Sequence, residues 1–428
     1  MALGTKFQAR NLLLSLIASV FVGKFLVPGT QTTICRRNSR LRSKNRRHYL
    51  ALRPVSGAKI DTFMNGFNWL SSSVPDKQFP AALVCPRCRI PGADERLVVS
   101  YLRPTGPLPD GSSADRCGIC DRSYPRVEGI RCVPPDLESF TARLSAPREA
   151  DWICNDPEDA AKACAQFGDL DPQNEKWGEV VFAALHGLAH FPAGPQSEEL
   201  ECNGALLRCV LEWLGRHRAP ENTVAKCMLE AGCGPGGLLH ALAPLFQEGA
   251  LGLDLRLEVL RLARRLADCG EVTVPFCIEG RHFAPLHLAA RSRPPASSIH
   301  FVLGDVLSPP LEAEAFPLVV AMSLLDTVVD PIFALGQLDA LLSPGGLLLI
   351  GTPYSWDARV TPPGEWWSTS AMTGAEALRA ALSGRNNVLP HLSYEILEQI
   401  DLPWAVPGHS RLMFRFVLDV LLARKRAE

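Results

Sequence analysis

Leu229-Glu-Ala-Gly-Cys-Gly-Pro-Gly-Gly237 is the stretch on which the reading of this chain turns. An apolar run, Val224 to Leu229, leads into it, and Leu238 to Phe246 leaves it with the pattern of a helix. Gly232, Gly234 and Gly236 let the backbone take positive φ and approach a ligand where any Cβ would collide. The helix that follows turns its N-terminal amides toward the same space. Glu230 ends the strand with a carboxylate, which suits a cationic amino-acid cofactor better than a pyrophosphate. Glycines in a strand-to-helix turn also serve packing alone, so the reading depends on what comes after them.

Ala250-Leu-Gly-Leu-Asp-Leu255 is a short apolar strand that places Asp254 24 residues beyond Glu230, where an acid accepts hydrogen bonds from ribose hydroxyls. His300-Phe-Val-Leu-Gly-Asp305 ends in a further acid, at the place of an adenine amino group. Pro317-Leu-Val-Val-Ala-Met-Ser323 is apolar throughout, as a strand covered on both faces should be. Gly346 to Gly351 follows a Pro344-Gly345 turn as a fifth strand, and helical stretches at 255–268 and 331–342 separate the strands. Alternating strand and helix imply a parallel sheet with right-handed crossovers. Across residues 220–428 this ordered set resembles the class I S-adenosylmethionine-dependent methyltransferases. The resemblance implies an α/β, Rossmann-like sheet of seven strands. It also implies S-adenosylmethionine (SAM) as cofactor, held by Glu230, Gly232, Gly234, Gly236, Asp254 and Asp305.

Composition is uneven along the chain. Of 428 residues, 47% are hydrophobic, enough for a sizeable core and more than one ordinary domain. Residues 1–60 carry 12 Lys/Arg and no acid, so the remainder holds 32 basic against 45 acidic side chains. An acidic body argues against a nucleic-acid partner. Within 1–60, Lys6 and Arg10 precede an apolar run, Leu12 to Val22, and seven basic residues follow between Arg36 and Arg47. That run is short for a membrane span. The tandem resembles the bipartite plastid presequences of algae with complex plastids, a signal-like core followed by an acid-free transit stretch. The alternative is a signal anchor over residues 12–27 whose basic flank stays on the cytosolic side. In both readings membrane contact is confined to this segment, and 1–60 stands outside the folded body.

Cys85-Pro-Arg-Cys88 and Cys117-Gly-Ile-Cys120 are two CxxC knuckles separated by 28 residues. Four thiolates so spaced close a tetrahedral structural zinc site on Cys85, Cys88, Cys117 and Cys120. Together with Tyr124-Pro-Arg-Val-Glu-Gly-Ile130, they resemble the small zinc ribbons that accompany several methyltransferases, over about residues 80–135. Such a ribbon is also a surface for a protein partner. Residues 150–218 read as a helical linker or cap between ribbon and catalytic domain.

The acceptor of the methyl group is sought beyond the cofactor strands. Ser323-Leu-Leu-Asp326 follows the fourth strand, Thr352-Pro-Tyr-Ser-Trp356 the fifth, and His409-Ser-Arg411 lies near the end. These resemble the C-terminal methyltransferase domain of ovothiol-biosynthesis enzymes, which methylates a ring nitrogen of thiol-histidine. The Leu-Leu-Asp element is also similar to that of protein-histidine N-methyltransferases. The resemblance implies a small-molecule acceptor with an imidazole ring: Asp326 and Tyr354 as catalytic residues, and Ser323, Trp356, His409 and Arg411 as substrate-binding ones. Ser323 replaces an Asn of that pattern, Pro317 stands where many class I enzymes have Asp, and the iron-dependent module of the ovothiol enzymes has no counterpart here. A quinone or tetrapyrrole acceptor, or a non-catalytic scaffold, are the other readings. For Asp326 the structural alternative is a cap on the helix beginning near Asp330.

Overall fold

The computed structural model describes residues 79–426 except 80, 89, 92–96, 99, 106–112, 145–150, 194–196, 218–226, 291–297 and 385–388. The expected targeting segment at 1–60 lies outside the described residues. The glycine turn follows a strand at Met228–Ala231 (β5), buried at every position, in the middle of one large sheet.

Apart from a small antiparallel pair, Ile90–Pro91 with Leu97–Val98, the strands before it in chain order are β1 (Leu102–Pro104), β2 (Ala114–Cys117), β3 (Ser123–Val127) and β4 (Ile130–Cys132). After it come β6 (Ala250–Asp254), β7 (Glu271–Glu279), β8 (His282–Ala289), β9 (Ile299–Leu303), β10 (Phe316–Met322), β11 (Leu342–Thr352), β12 (Tyr394–His409) and β13 (Leu412–Lys425). The helices are α1 (Leu137–Leu144), α2 (Pro157–Asp169), α3 (Glu175–His190), α4 (Asn203–His217), α5 (Gly237–Leu242), α6 (Leu257–Cys269), α7 (Pro331–Leu341) and α8 (Gly374–Leu382).

The sheet runs β12-β13-β11-β10-β5-β6-β9-β4-β3-β2-β1. Its first seven members are the expected Rossmann-like set, with β9, β6, β5, β10 and β11 parallel and the β12–β13 hairpin antiparallel at one edge. β10 and β11 are apolar and buried along most of their length because helices cover both faces. The sheet has eleven strands rather than the expected seven. Arg131 and Cys132 of β4 pair in parallel with Val302 and Leu303 of β9, so the cysteine-knuckle segment continues the sheet. The physical reason is an open edge: β9 would otherwise present unpaired backbone groups. Asp115, fully buried, holds the join by accepting from Arg126 and Arg131.

Local signals set the helix ends. Asp330 caps α7 by accepting from the Phe333 N–H at 2.9 Å, with Pro331 in the first turn. α6 turns Val259, Leu260, Leu262, Ala263 and Leu266 inward and ends at Gly270 in the left-handed region. α2, α3 and the β7–β8 hairpin form a separate layer with its own apolar cluster around Trp152, Phe167 and Leu188. Asn203 ties this layer to the sheet: its amide donates to the Ala189 and Ala405 carbonyls and accepts from the Ala405 N–H. No helix among the described residues is long and apolar enough to cross a membrane.

Candidate active site

Above the carboxyl ends of β5, β6, β9, β10 and β11, where open α/β sheets place their ligands, lies a cavity of about 1190 Å³. At one end stands the glycine loop. Gly232, Gly234 and Gly236 hold φ of 69°, 53° and 84°, which a Cβ would strain. Gly232 and Gly234 line the cavity. Gly236 stands behind them, its missing Cβ directed at Leu239, Phe301 and Ala263, so it serves the start of α5 rather than the ligand. Glu230 is 1% exposed and one of its carboxylate oxygens has no partner. Burial, with the nearby Asp254 charge, pushes its carboxyl well above the usual range.

Asp254 accepts from the Gly234 N–H at 3.0 Å and the Arg256 N–H at 2.9 Å. Burial still raises it above the ordinary value. Asp305 accepts from the Leu307 N–H at 2.9 Å and lines the same end. An acidic, glycine-walled pocket with a free buried carboxylate oxygen fits a cationic amino acid joined to a nucleoside.

At the other end, Asp326 is 3% exposed in a single turn after β10. One oxygen accepts from the Ser355 N–H at 2.8 Å, and the other, Oδ1, is buried without a partner. Burial raises its carboxyl above the usual range, against the Ser355 N–H, which lowers it. The capping role belongs to Asp330, not Asp326. Ser323 and Tyr354, just past β10 and β11, both hold left-handed backbone, with φ of 48° and 52°. Such positions persist only where the surroundings fix them, as active sites do. Ser323 and Trp356 line the cavity.

Tyr354 does not line it. Its hydroxyl donates to Asp419 at 2.7 Å, and its ring packs over Gly374 and near Trp356. His409 and Arg411 sit at the tip of the β12–β13 hairpin, outside the cavity lining, where the Arg411 guanidinium stands 3.6 Å from Glu279. The hairpin is long enough to carry that tip onto β7, where Ser410 donates to the Ile278 carbonyl.

A family model described as a methyltransferase domain matches residues 205–386. The chain carries a methyltransferase domain. The match begins inside α4, and with the glycine loop it makes the protein a SAM-dependent methyltransferase. No curated protein matches the chain. Among solved structures it is similar to the magnesium protoporphyrin IX methyltransferase ChlM of Synechocystis PCC 6803 with bound SAM. That likeness has 14% identity and a TM-score of 0.35, over 56% of this chain and 90% of the other. It is also similar to the carbon methyltransferase of CurJ, at 13% identity and a TM-score of 0.37, over 63% and 65% respectively.

Sequence reasoning missed half of the methyltransferase cavity. Glu179, Phe182, His186 and His190, at helical spacing on α3, form its roof. Phe182 stacks on His186 at 4.0 Å and lies under the Arg256 guanidinium at 4.0 Å, and Arg256 pairs with Glu179 at 2.7 Å. Burial holds His186 down at about 3 and His190 at about 4. Trp404, Phe414, Phe416 and Leu418 of the β12–β13 hairpin form an apolar wall. The stripe of His and Phe along 179–190 was a legible signal, whereas the hairpin wall had none.

The four knuckle cysteines converge away from the cavity, their sulfurs all within 4.8 Å of one another. Cys85 and Cys120 sulfurs are 3.8 Å apart, and Cys88 and Cys117 3.7 Å. A tetrahedron with metal–sulfur bonds of about 2.3 Å has edges of about 3.8 Å. Burial pushes the Cys85 and Cys88 thiols up. For Cys117 burial is outweighed by the Cys120 N–H and the Ser100 hydroxyl, which hold it at about 6.

Proposed function

We propose that the enzyme N-methylates an imidazole ring, that of histidine or a thiol-histidine derivative. The observation that carries this reading is Asp326 Oδ1, a buried carboxylate oxygen beside the acceptor end of the cavity with no hydrogen-bond donor of its own. A buried polar atom left unsatisfied costs about 1–3 kcal/mol, and the N–H of an imidazole would satisfy it. Bound SAM supplies an activated methyl group on a positively charged sulfur. The chain's residues then have three tasks. Asp326 accepts the N–H of the ring's far nitrogen, which fixes the tautomer and leaves the near nitrogen's lone pair to attack the methyl carbon. As the S–CH3 electron pair stays with sulfur, positive charge passes to the ring, and the Asp326 carboxylate stabilises it there. The far N–H proton then leaves to solvent by way of Asp326. The Ser355 N–H holds the carboxylate in place, and Trp356 covers the ring and excludes water.

One feature favours a second reading. The wall of Trp404, Phe414, Phe416 and Leu418 is apolar. A quinone or tetrapyrrole would use that wall more fully than free histidine. Incubation with methyl-labelled SAM and a panel of histidine, thiol-histidine, histidine-containing peptides and quinols separates the two. Label is expected in the imidazoles, and label in the quinols alone would rule the imidazole reading out.

We also propose that Cys85, Cys88, Cys117 and Cys120 hold one zinc ion. The closed four-sulfur arrangement suits a structural ion, which would fix the knuckles against β2 and leave the chemistry to the cavity.

A further inference from the structure

His190 is the last residue of α3, and its ring lies against the start of α5. The Gly237 N–H donates to its Nδ1 at 3.1 Å. A Cβ on Gly237 would come within 2.9 Å of that nitrogen, so the second glycine of Gly236-Gly237 exists to admit the ring. The hydrogen bond settles the tautomer. A ring nitrogen that accepts carries no proton, so in the neutral imidazole the proton sits on Nε2. Burial keeps the ring neutral by holding it at about 4. The Nε2 side faces Gly234, where an added Cβ would stand 3.7 Å away, and both residues line the cavity.

The ring has little freedom to turn elsewhere. Trp404 meets it edge to face, with centroids 5.7 Å apart and planes at 84°. One residue earlier, the Ala189 carbonyl is held by the buried Asn203 amide. The donor is therefore fixed beside Gly234, whose own N–H donates to Asp254. Glu230 can take up the cofactor's ammonium group and Asp254 its ribose hydroxyls, but both acids repel its carboxylate, which needs a donor of its own.

We infer that His190 is a cofactor-positioning residue whose Nε2–H donates to the carboxylate of the amino-acid end of SAM. This goes beyond the choice of acceptor and does not depend on it. The pairing is charge-assisted, of the stronger kind, and it would set the direction of the sulfur relative to Asp326.

The test compares two ligands by calorimetry: S-adenosylhomocysteine, and the same compound lacking its carboxylate. His190→Asn is the informative variant. Its amide oxygen reaches the place of Nδ1 and still caps Gly237, but nothing replaces Nε2–H. Wild-type protein should prefer the intact compound by at least about tenfold, and His190→Asn should lose about 10–100-fold for that compound alone. An equal loss for both ligands would show a merely structural roof residue and overturn the assignment. No loss for either would overturn it too. If the variant does not fold, as judged by its melting curve, the wild-type preference decides alone, and its absence would sink the inference.

Discussion

The two ends of the cavity are built in different ways. At the cofactor end a backbone frame does most of the holding: the Gly234 and Arg256 N–H groups fix Asp254, the Leu307 N–H fixes Asp305, and Glu230 alone keeps a free buried oxygen. At the acceptor end the frame is aromatic. Asp326 Oδ1 and the Trp356 indole nitrogen are both buried without partners there. A site made of many backbone contacts loses affinity by degrees when one side chain is removed. A site that hangs on a single carboxylate loses its chemistry.

The largest effect should therefore come from Asp326→Asn, which keeps the shape and the Ser355 contact but removes the charge. Turnover is expected to fall about 10²–10³-fold with SAM affinity unchanged. Parallel calorimetry and single-turnover rates check this, and a loss of SAM affinity in step with rate would erase the distinction between the two ends. The pH profile sharpens it. Burial raises the Asp326 carboxyl above the usual range, so the charged form is lost at a higher pH than for an exposed aspartate. With acceptor saturating, kcat should decline as pH falls through that raised value, and Asp326→Asn should lack this limb.

Asp254→Ala should act at the other end and by less. Its oxygens serve both the loop amides and, by this placement, the ribose, so SAM binding is expected to weaken by about 1–3 kcal/mol. Turnover at saturating SAM should stay within a few-fold of wild type. Titration that finds unchanged affinity would remove the ribose placement.

The same contrast explains what could be read from the amino-acid order. The parallel strands and the glycine loop were legible because each depends on a contiguous run: Met228–Ala231 leads straight into Gly232, and Ala250–Asp254 ends in its own acid. Asp326 was legible for the same reason, four residues past the end of β10. The apolar wall was not, nor was its contact with the roof. His190 and Trp404 meet across more than 200 residues of chain, brought together by a buried Asn203 that satisfies two carbonyls and one N–H at once. Nothing local marks such a contact. Tyr354, His409 and Arg411 illustrate the opposite error. Each follows a site-like stretch, yet the Tyr354 hydroxyl donates to Asp419 of β13 rather than lining the cavity, and sixteen residues of β12 carry His409 past it. The extra four strands were equally hidden, since β4 pairs with β9 through only two residues of each.

That short pairing predicts the smallest effect. Chelation of the proposed zinc should release the four cysteines and raise amide exchange across residues 81–132, because the sheet strands of that segment are only three to five residues long and the knuckles cross-link them. The cavity should barely notice. β9, which leads into Gly304 and Asp305, pairs with β6 over five residues, Ile299–Leu303 against Ala250–Asp254, and with β4 over two. Losing the β4 side leaves the longer ladder intact, so SAM affinity is expected to fall less than about threefold, well under the roughly 1.4 kcal/mol of a tenfold change. Metal analysis of protein purified without added zinc comes first, and a stoichiometry near zero would end the zinc proposal. If metal is present and chelation abolishes SAM binding, β9 must depend on the knuckle segment for its position, and the cofactor end would be less self-sufficient than its backbone frame suggests.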